Sequence, residues 1–506
     1  MPQPRWLPFT ASALDAGAGC PSHVSSSTVN RKPLPVAPTR FHFVVLASAL
    51  LTLTAYGSII PLRYEPVPLA TAIEQVREAK WFPARLEHSA MRADWTVNSL
   101  QYATLSFFCL GALAVDRSRW IAALLAIGVA AAGCALAFWL EVLQVSFPPR
   151  TISAGDVWVE SVGTLIGCVA WLAVGPVCTG WARRFWTQRG LVGLANQILP
   201  GYLVLQVIVN GMPFDFVHGF DELERRLETG RVELLPFQHL ILDRSAVESV
   251  SDLLNFASFV PVGLLLGIIP RWADQRIRTT VVIGIAWSVA IECLQLFVGS
   301  RYFKATDIVL GSIAVWLAAR WIRQFDGPLQ RGFPLQPQGI EVRFRRLRDR
   351  LAGWGRGPWL VLLVVWMVVL LLLSWQPYEF HFRPSKFLRS DPDLSDEDTP
   401  VYWLRRMSFF PLVDYYSGSR YQAFDQFLRR GLSFLPLGVL GAILFPKRRR
   451  FGLVVTVGFG LVFGTVIELG QYFIPQRHPG VTDLCIHLFA AWLGFMLASH
   501  VAKAVE

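Results

Sequence analysis

The chain of 506 residues is apolar and sparsely charged, with 53% hydrophobic and 16% charged residues. A soluble domain usually carries about 25% charged residues, and here the apolar residues come in long blocks. These numbers exclude a soluble enzyme, a fibrous chain and a disordered one, and they indicate a membrane protein. The net charge of +11 therefore bears first on membrane topology, and we expect membrane lipids as partners and no nucleic acid.

The first forty residues differ from the rest of the chain. Seven prolines and a Ser/Thr-rich stretch at 22–28 stand there, without an apolar block and cleavage site. This composition is typical of a disordered tail over residues 1–40 and not of a secretory signal.

Twelve apolar runs follow the tail, each close to the roughly 20 residues that a membrane-spanning helix needs. The sequence therefore predicts an all-α polytopic membrane protein with about twelve transmembrane helices. The runs lie at 41–61, 98–115, 120–147, 155–175, 194–213, 253–270, 279–298, 307–323, 358–377, 426–445, 451–474 and 482–502.

A pattern of four polar residues, E-x2-Q-x5-R-x5-D, occurs three times, always between the third and fourth runs of a group of four. We call each copy a quartet and predict three tandem four-helix units: unit one at 41–178, unit two at 192–325 and unit three at 358–502, with a basic linker at 326–357. The quartets are Glu141, Gln144, Arg150 and Asp156; Glu292, Gln295, Arg301 and Asp307; Glu468, Gln471, Arg477 and Asp483.

Proline and glycine marks keep step with the quartets. The first helix of each unit ends in an X-Pro-Y triplet: Ile60-Pro61-Leu62, Met212-Pro213-Phe214 and Gln376-Pro377-Tyr378. The loop that follows carries Trp81-Phe82-Pro83, Leu235-Pro236-Phe237 and Phe410-Pro411-Leu412. A Phe-x-x-x-Gly mark then opens the second helix, ending at Gly111, Gly263 and Gly438. We expect small residues such as Gly163 and Gly167 to pack helices closely.

The number of helices per unit predicts the orientation of the repeats. Four is even, so each unit enters and leaves on the same side of the membrane, and the three repeats are parallel. Basic residues concentrate in the tail, the turns and the linkers, above all in the Arg-rich stretch 341–350. The positive-inside rule then makes both termini cytoplasmic and puts the quartets on the extracytoplasmic side of the cell membrane.

The quartets combine residue types that suit a polar binding site at the membrane boundary. Glutamate and glutamine at i and i+3 share a helix face, and an ionisable group within a membrane is a site hypothesis by default. Arginine recognises phosphate or carboxylate, while glutamate can carry a proton, act as a base or accept a hydrogen bond. The combination suits an amphiphile with an anionic head. Structural roles stay open: the aspartates as helix caps or first-turn acids, and the arginines as partners of the glutamates.

With these marks the chain resembles the VanZ-like family of integral membrane proteins, which is associated with low-level resistance to the glycopeptide antibiotic teicoplanin. Unit two matches the family pattern best and adds two candidate ligand-binding residues, Asp252 and Asn255. Arg430 takes the place of that asparagine in unit three, and Ala103 takes it in unit one. The family often has another asparagine one turn after the quartet aspartate, where this chain has Glu160, Gly311 and His487. The resemblance implies a cell-envelope context.

Four functions remain open on this basis. The leading hypothesis is an extracytoplasmic-leaflet site that binds a cell-envelope lipid or amphiphilic antibiotic, with a role in glycopeptide tolerance. The alternatives are a membrane-embedded enzyme on lipid-linked substrates, a proton-coupled transporter and a structural membrane scaffold. The sequence contains no nucleophile or metal motif, and we expect neither a cofactor nor a metal.

Overall fold

The structure is a computed structural model, and most of the region from residue 37 to residue 505 is described. The predicted tail up to residue 36 and most of the basic linker lie outside the described residues. These are 37–60, 62–79, 89–148, 150, 153–217, 219–237, 246–269, 277–324, 353, 355–380, 410–413, 420–474, 477 and 479–505.

Within this part of the chain, fourteen α-helices account for nearly all regular structure. They are α1 (Arg40–Ile59), α2 (Leu69–Glu78), α3 (Ser89–Ala114), α4 (Arg119–Gln144), α5 (Ala154–Thr187), α6 (Leu191–Gly211), α7 (Phe220–Glu228), α8 (Ala246–Ile268), α9 (Ile277–Leu296), α10 (Ala305–Gln324), α11 (Gly357–Ser374), α12 (Arg420–Leu444), α13 (Arg449–Tyr472) and α14 (Val481–Val505). Two short strands, β1 (Val232–Glu233) and β2 (Phe303–Lys304), pair in parallel.

The predicted all-α membrane architecture is confirmed. Eleven of the described helices are long and apolar enough to cross a membrane. The twelfth predicted span corresponds to α8, within which Asp252–Ile268 forms a shorter apolar helix. The helices that correspond to the twelve predicted spans, which we number within each unit as spanning helices, are α1, α3, α4 and α5 in unit one, α6 and α8 to α10 in unit two, and α11 to α14 in unit three.

Three differences from the predicted elements have local causes. Helices α2 and α7 lie in the loops after the first spanning helix of units one and two, and both are too short and polar to read as spans. Helix α3 begins at Ser89, before the predicted start at 98. Its first turns are polar, so they did not form part of the apolar run. Helix α5 continues to Thr187 past Pro176; neighbouring groups let membrane helices tolerate an internal proline.

Glycines bring the second and fourth spanning helices of each unit into close contact. A Cβ added to Gly163 or Gly167 of α5 would overlap backbone atoms of Ser99 or Ala103 on α3, which confirms the predicted packing role of these glycines. The same holds for Gly263 of α8 against Val315 of α10, and for Gly438 of α12 against Ala491 of α14. This pairing of second and fourth helices sets the fourth helix, which begins with the quartet aspartate, beside the second.

The three units contact one another through matching ends. At the end that carries the quartets, which we call the quartet end, Arg92 of unit one binds Glu222 of unit two through two hydrogen bonds of 2.7 and 2.8 Å. At the same end, the Tyr56 hydroxyl donates to the Pro411 carbonyl over 2.8 Å. At the opposite end, the Gly190 N–H donates to the Ala504 carbonyl over 2.7 Å. Like ends therefore meet, as parallel repeats require.

Candidate functional site

The quartet glutamate closes the turn between the third and fourth spanning helices of each unit. Its Oε2 accepts a hydrogen bond from the backbone N–H twelve residues further along the chain. The side chains are at most 4% exposed. Because the same atom makes the same contact in all three units, this role is part of the repeated frame. The pairs are Glu141 with Ser153 at 3.3 Å, Glu292 with Lys304 at 3.0 Å and Glu468 with Gly480 at 3.0 Å.

The quartet arginine caps the first spanning helix of its unit. Its Nε donates to the carbonyl of the residue before the proline of the X-Pro-Y triplet: Arg150 to Ile60 at 2.7 Å, Arg301 to Met212 at 2.7 Å and Arg477 to Gln376 at 3.0 Å. A second guanidinium nitrogen reaches Gly57 or Val209, one turn earlier, at 3.0 and 3.2 Å. The last carbonyls of a helix lack partners within it, so the guanidinium supplies them.

The triplets end in a left-handed residue that turns the chain away from the helix. Leu62, Phe214 and Tyr378 have φ angles of 68°, 66° and 67°. Residues other than glycine seldom adopt this backbone conformation, and it persists where surrounding contacts hold it. The arginine bond to the residue two positions earlier is such a contact. The proline marks in the sequence thus belong to the arginine cap.

The quartet glutamine ties the third spanning helix to the first in units two and three. Gln295 donates through Nε2 to Asn210 Oδ1 of α6 at 2.8 Å, and Gln471 donates to the Ser374 carbonyl of α11 at 3.3 Å. Gln144, at the end of α4, is 3% exposed. These contacts add to the frame that the glutamate and arginine make.

The quartet aspartates lie in the first turn of the fourth spanning helix, where the helix dipole favours an acid. Of the two structural roles expected for Asp156, the structure shows the first-turn acid. The cap of α5 is Ser153, whose Oγ accepts from the Asp156 N–H at 3.2 Å.

A threonine precedes the aspartate in units two and three, and the structure adds its contact with the loop, which the sequence did not predict. The Thr306 hydroxyl accepts from the Phe237 N–H at 2.8 Å, and the Thr482 hydroxyl accepts from the Leu412 N–H at 2.6 Å. The two donors follow the prolines of the loop marks and have φ angles of 61° and 67°. The sequence therefore contains both sides of this contact: the Thr-Asp pair that begins the fourth helix and the Pro-Phe or Pro-Leu pair of the loop mark. The corresponding mark of unit one, at 81–83, lies outside the described residues.

Unit three pairs its quartet aspartate with a side chain of its own, while the Nδ1 of His487 is buried without a hydrogen-bond partner among the described residues. Arg430 of α12 forms an ion pair with Asp483, which is 2% exposed. His487, one turn further along α14, stacks on Phe434 with ring centroids 3.7 Å apart and planes at 12°. The quartet aspartate of this unit is therefore neutralised within the chain.

Unit two brings the candidate residues Asp252 and Asn255 of α8 to Asp307. Both side chains lie close enough to interact with the aspartate, as does Lys304, and Glu292 interacts with Asp307 from α9. Asn255 approaches Asp307 closely enough for its amide to interact with the carboxylate. Asp307 Oδ1 and Asn255 Nδ2 are shielded from solvent and have no hydrogen-bond partner among the described residues.

The side chains of this cluster do not assemble into a metal site. No group of three or more histidine, cysteine, aspartate or glutamate residues in the described ranges is arranged to hold a metal ion. Asp252, Asn255, Glu292 and Asp307 thus form a predominantly acidic polar cluster, which we call the unit-two cluster.

Comparison with known proteins supports the repeat and names its type. A model of the VanZ/LLP1 family matches residues 200–323 and 359–502, within units two and three and over more than half of the chain. Unit one lies outside these residues, and its likeness to the others rests on the repeated glutamate and arginine contacts. No curated protein and no solved structure matches the chain. The two family matches, over a polytopic helical fold, show that the chain belongs to the VanZ/LLP1 family.

Proposed function

We propose that this membrane protein binds the head group of a cell-envelope amphiphile, a lipid or a lipoglycopeptide, at the unit-two cluster. One observation carries the proposal: Asp307 Oδ1 and Asn255 Nδ2 are buried without hydrogen-bond partners among the described residues. A polar group buried in this way costs free energy, and a bound head group supplies the missing bonds. The association of the VanZ-like family with teicoplanin resistance supports an envelope amphiphile and a role in glycopeptide tolerance.

The repeated frame narrows the residues that face the ligand. Glu292 and Arg301 bond to backbone groups that close a turn and cap a helix. Asn255 and Asp307 lie between α8 and α10 instead, on the two helices that the Gly263 contact brings together. The frame, which includes Glu292, therefore holds Asn255 and Asp307 in place, and these two side chains contact the ligand.

The position of the cluster relative to the membrane supports the same proposal. Asp252 is the first residue of the apolar part of α8, and Asp307 lies in the first turn of α10. The positive-inside rule assigns this end to the extracytoplasmic side. An amphiphile of the outer leaflet then presents its head group at the depth of the cluster while its chain stays in the membrane.

Binding in phosphatidylcholine nanodiscs tests the proposal. Teicoplanin and a lipid-linked sugar serve as probes, and Asp307→Asn and Asn255→Ala are each compared with the unchanged protein. Both variants keep Glu292 and Arg301, so the frame is intact. We expect at least tenfold weaker binding of the preferred probe.

A matched control is Asp425→Asn on α12, whose carboxylate pairs with Arg429 on the same helix at 2.7 Å. This variant removes an acid from a spanning helix of unit three and leaves the unit-two cluster unchanged. Unchanged binding in Asp307→Asn, with the thermal unfolding of the protein preserved, would contradict the proposal.

A structural scaffold is the second candidate, and the backbone bonds of the quartet residues favour it. Glutamate and arginine in all three units bind backbone groups of their own chain. On this reading, cluster variants that leave the frame intact have no effect on envelope-stress or glycopeptide susceptibility. A changed susceptibility in Asp307→Asn at equal expression rules the scaffold out.

A further inference from the structure

We infer that the head group accepted by the unit-two cluster carries an ammonium group, with an oxygen acceptor beside it. This inference rests on the proposed function and names the chemical class of its ligand. It comes from a comparison of two repeats of the same chain: unit three has the cation Arg430 at the place where unit two has the neutral Asn255.

Unit three shows which group satisfies the quartet aspartate. Asp483 receives the guanidinium of Arg430, which enters from the second spanning helix. The same place in unit two is occupied by Asn255, which is neutral. A cation of the same chain thus neutralises Asp483, whereas its counterpart Asp307 faces the neutral amide of Asn255.

The charges around Asp307 favour a cationic guest over an anionic one. Asp252, Glu233 and Glu292 interact with it as further acids. Lys304 is a base that acts on Asp307 and Glu292, and Arg301 is a base that acts on Glu292. The Lys304 backbone N–H is already bound to Glu292 at 3.0 Å. Several carboxylates that share one site at a membrane boundary need protons or cations to balance them. A ligand ammonium meets this need, whereas a phosphate alone adds to the repulsion.

A buried hydroxyl below the carboxylates is an independent sign of a ligand site. Ser288 of α9 is 1% exposed, and its Oγ has no hydrogen-bond partner among the described residues. It lies one turn before Glu292, and its Oγ faces Gly311, one turn after Asp307, where an added Cβ would come within 2.6 Å. The hydroxyl therefore points between α9 and α10, beneath the two acids, where it can accept a bond from an ammonium.

The second half of the ligand class follows from the asparagine. Asn255 Nδ2 is a donor, and it has no acceptor within the described part of the chain. An oxygen close to the ammonium satisfies it. Aminoethyl phosphates and amino sugars share this arrangement, and the experiment has an arm for each source.

Native mass spectrometry of the full chain tests the inference. The protein in detergent is mixed with equimolar lyso-phosphatidylethanolamine and lyso-phosphatidylglycerol, and in a second arm with octyl 2-amino-glucoside and octyl glucoside. We expect the ammonium-bearing member of at least one pair to be retained at least tenfold more. The pair that shows the preference identifies the source.

Reciprocal variants test the intrachain comparison. Asn255→Arg gives Asp307 the guanidinium that Asp483 has, and we expect it to abolish retention of the ammonium probe. Arg430→Asn opens unit three, and we expect it to add a second retained probe. Should Asn255→Arg fail to fold, Asp307→Asn replaces it, because it keeps the side-chain shape and removes the charge that attracts the ammonium.

The outcomes separate the two proposals. Equal retention of both members in both pairs, lost in Asp307→Asn, overturns the ammonium assignment and leaves an amphiphile site at the cluster. Retention that is unchanged in Asp307→Asn overturns the assignment and the proposed site together.

Discussion

Units two and three share a frame and differ in the side chains that surround the quartet aspartate. In both, a glutamate closes a turn, an arginine caps the first spanning helix and a threonine holds the loop. At the aspartate they diverge, since Arg430 pairs with Asp483 while Asn255 stands beside Asp307. The quartet therefore builds the repeat, and the residue at the place of Asn255 and Arg430 decides whether the quartet aspartate is paired within the chain.

The largest effect is expected where the closed unit is opened. Arg430→Asn leaves Asp483, 2% exposed, without its cation, and breaking a buried pair costs about 3 kcal/mol or more. Adding Asp483→Asn removes the stranded charge and restores most of that loss. Thermal unfolding in detergent measures both.

The matched variant in unit two is Asn255→Ala, which removes no ion pair. We expect it to cost no more than about 1 kcal/mol, because only the interaction of the amide with Asp307 is lost. If the Arg430→Asn and Asn255→Ala variants unfold at the same temperature, the contrast between closed and open units is wrong.

The shared frame gives the second effect. Arg301→Ala exposes the unbonded carbonyls of Met212 and Val209 at the end of α6, and hydrogen bonds from a charged donor contribute about 1.5–3 kcal/mol each. We expect a loss of about 3 kcal/mol, measured as a lower midpoint of chemical unfolding. Arg301→Lys recovers only part of it, because an ammonium lacks the planar fork of the guanidinium.

The corresponding change in unit three sharpens the comparison. Burial and the nearby Arg430 both lower the pKa of Arg477. The positive charges of the two guanidinium groups therefore repel each other in the folded protein. Arg477→Ala removes that repulsion together with the cap, and we expect a smaller loss than for Arg301→Ala. In the Arg430→Asn background the loss should grow; a constant difference would show that the two arginines do not interact.

The sequence predicted the spans, the repeat and the family, because these depend on apolar length and regular spacing. It did not predict where the guanidiniums go. Arg301 reaches a carbonyl 89 residues earlier in the chain. The spacing alone left open whether the arginine binds the phosphate or carboxylate of a ligand or pairs with the quartet glutamate. The exchange of Asn255 for Arg430 was visible in the sequence, but its meaning needed the approach of α12 to α14. The amphipathic helices α2 and α7 and the threonine contacts lie in loops without a strong period.

The threonine contacts give the third effect. Thr306→Val and Thr482→Val remove the acceptors of the Phe237 and Leu412 N–H groups, and a lost neutral hydrogen bond costs about 1 kcal/mol. We expect equal losses in the two units, with faster hydrogen exchange at those two amides. Thr306→Ser keeps the hydroxyl and is the control. A loss confined to one unit would remove the loop contact from the shared frame.

The smallest effect is a pH dependence of stability, expected at the residue that follows the triplet of unit two. Asp215, after Phe214, is 2% exposed and accepts from the Ser300 hydroxyl at 3.2 Å, whereas Glu379, after Tyr378, is exposed. Burial raises the pKa of Asp215 above its ordinary value, so the folded protein holds this proton more tightly than the unfolded chain. Stability from this group is therefore full below the ordinary aspartate pKa of about 4, and it falls as the pH rises through the raised value. Asp215→Asn should flatten that part of the pH–stability curve; a slope that survives Asp215→Asn would assign it to another acid.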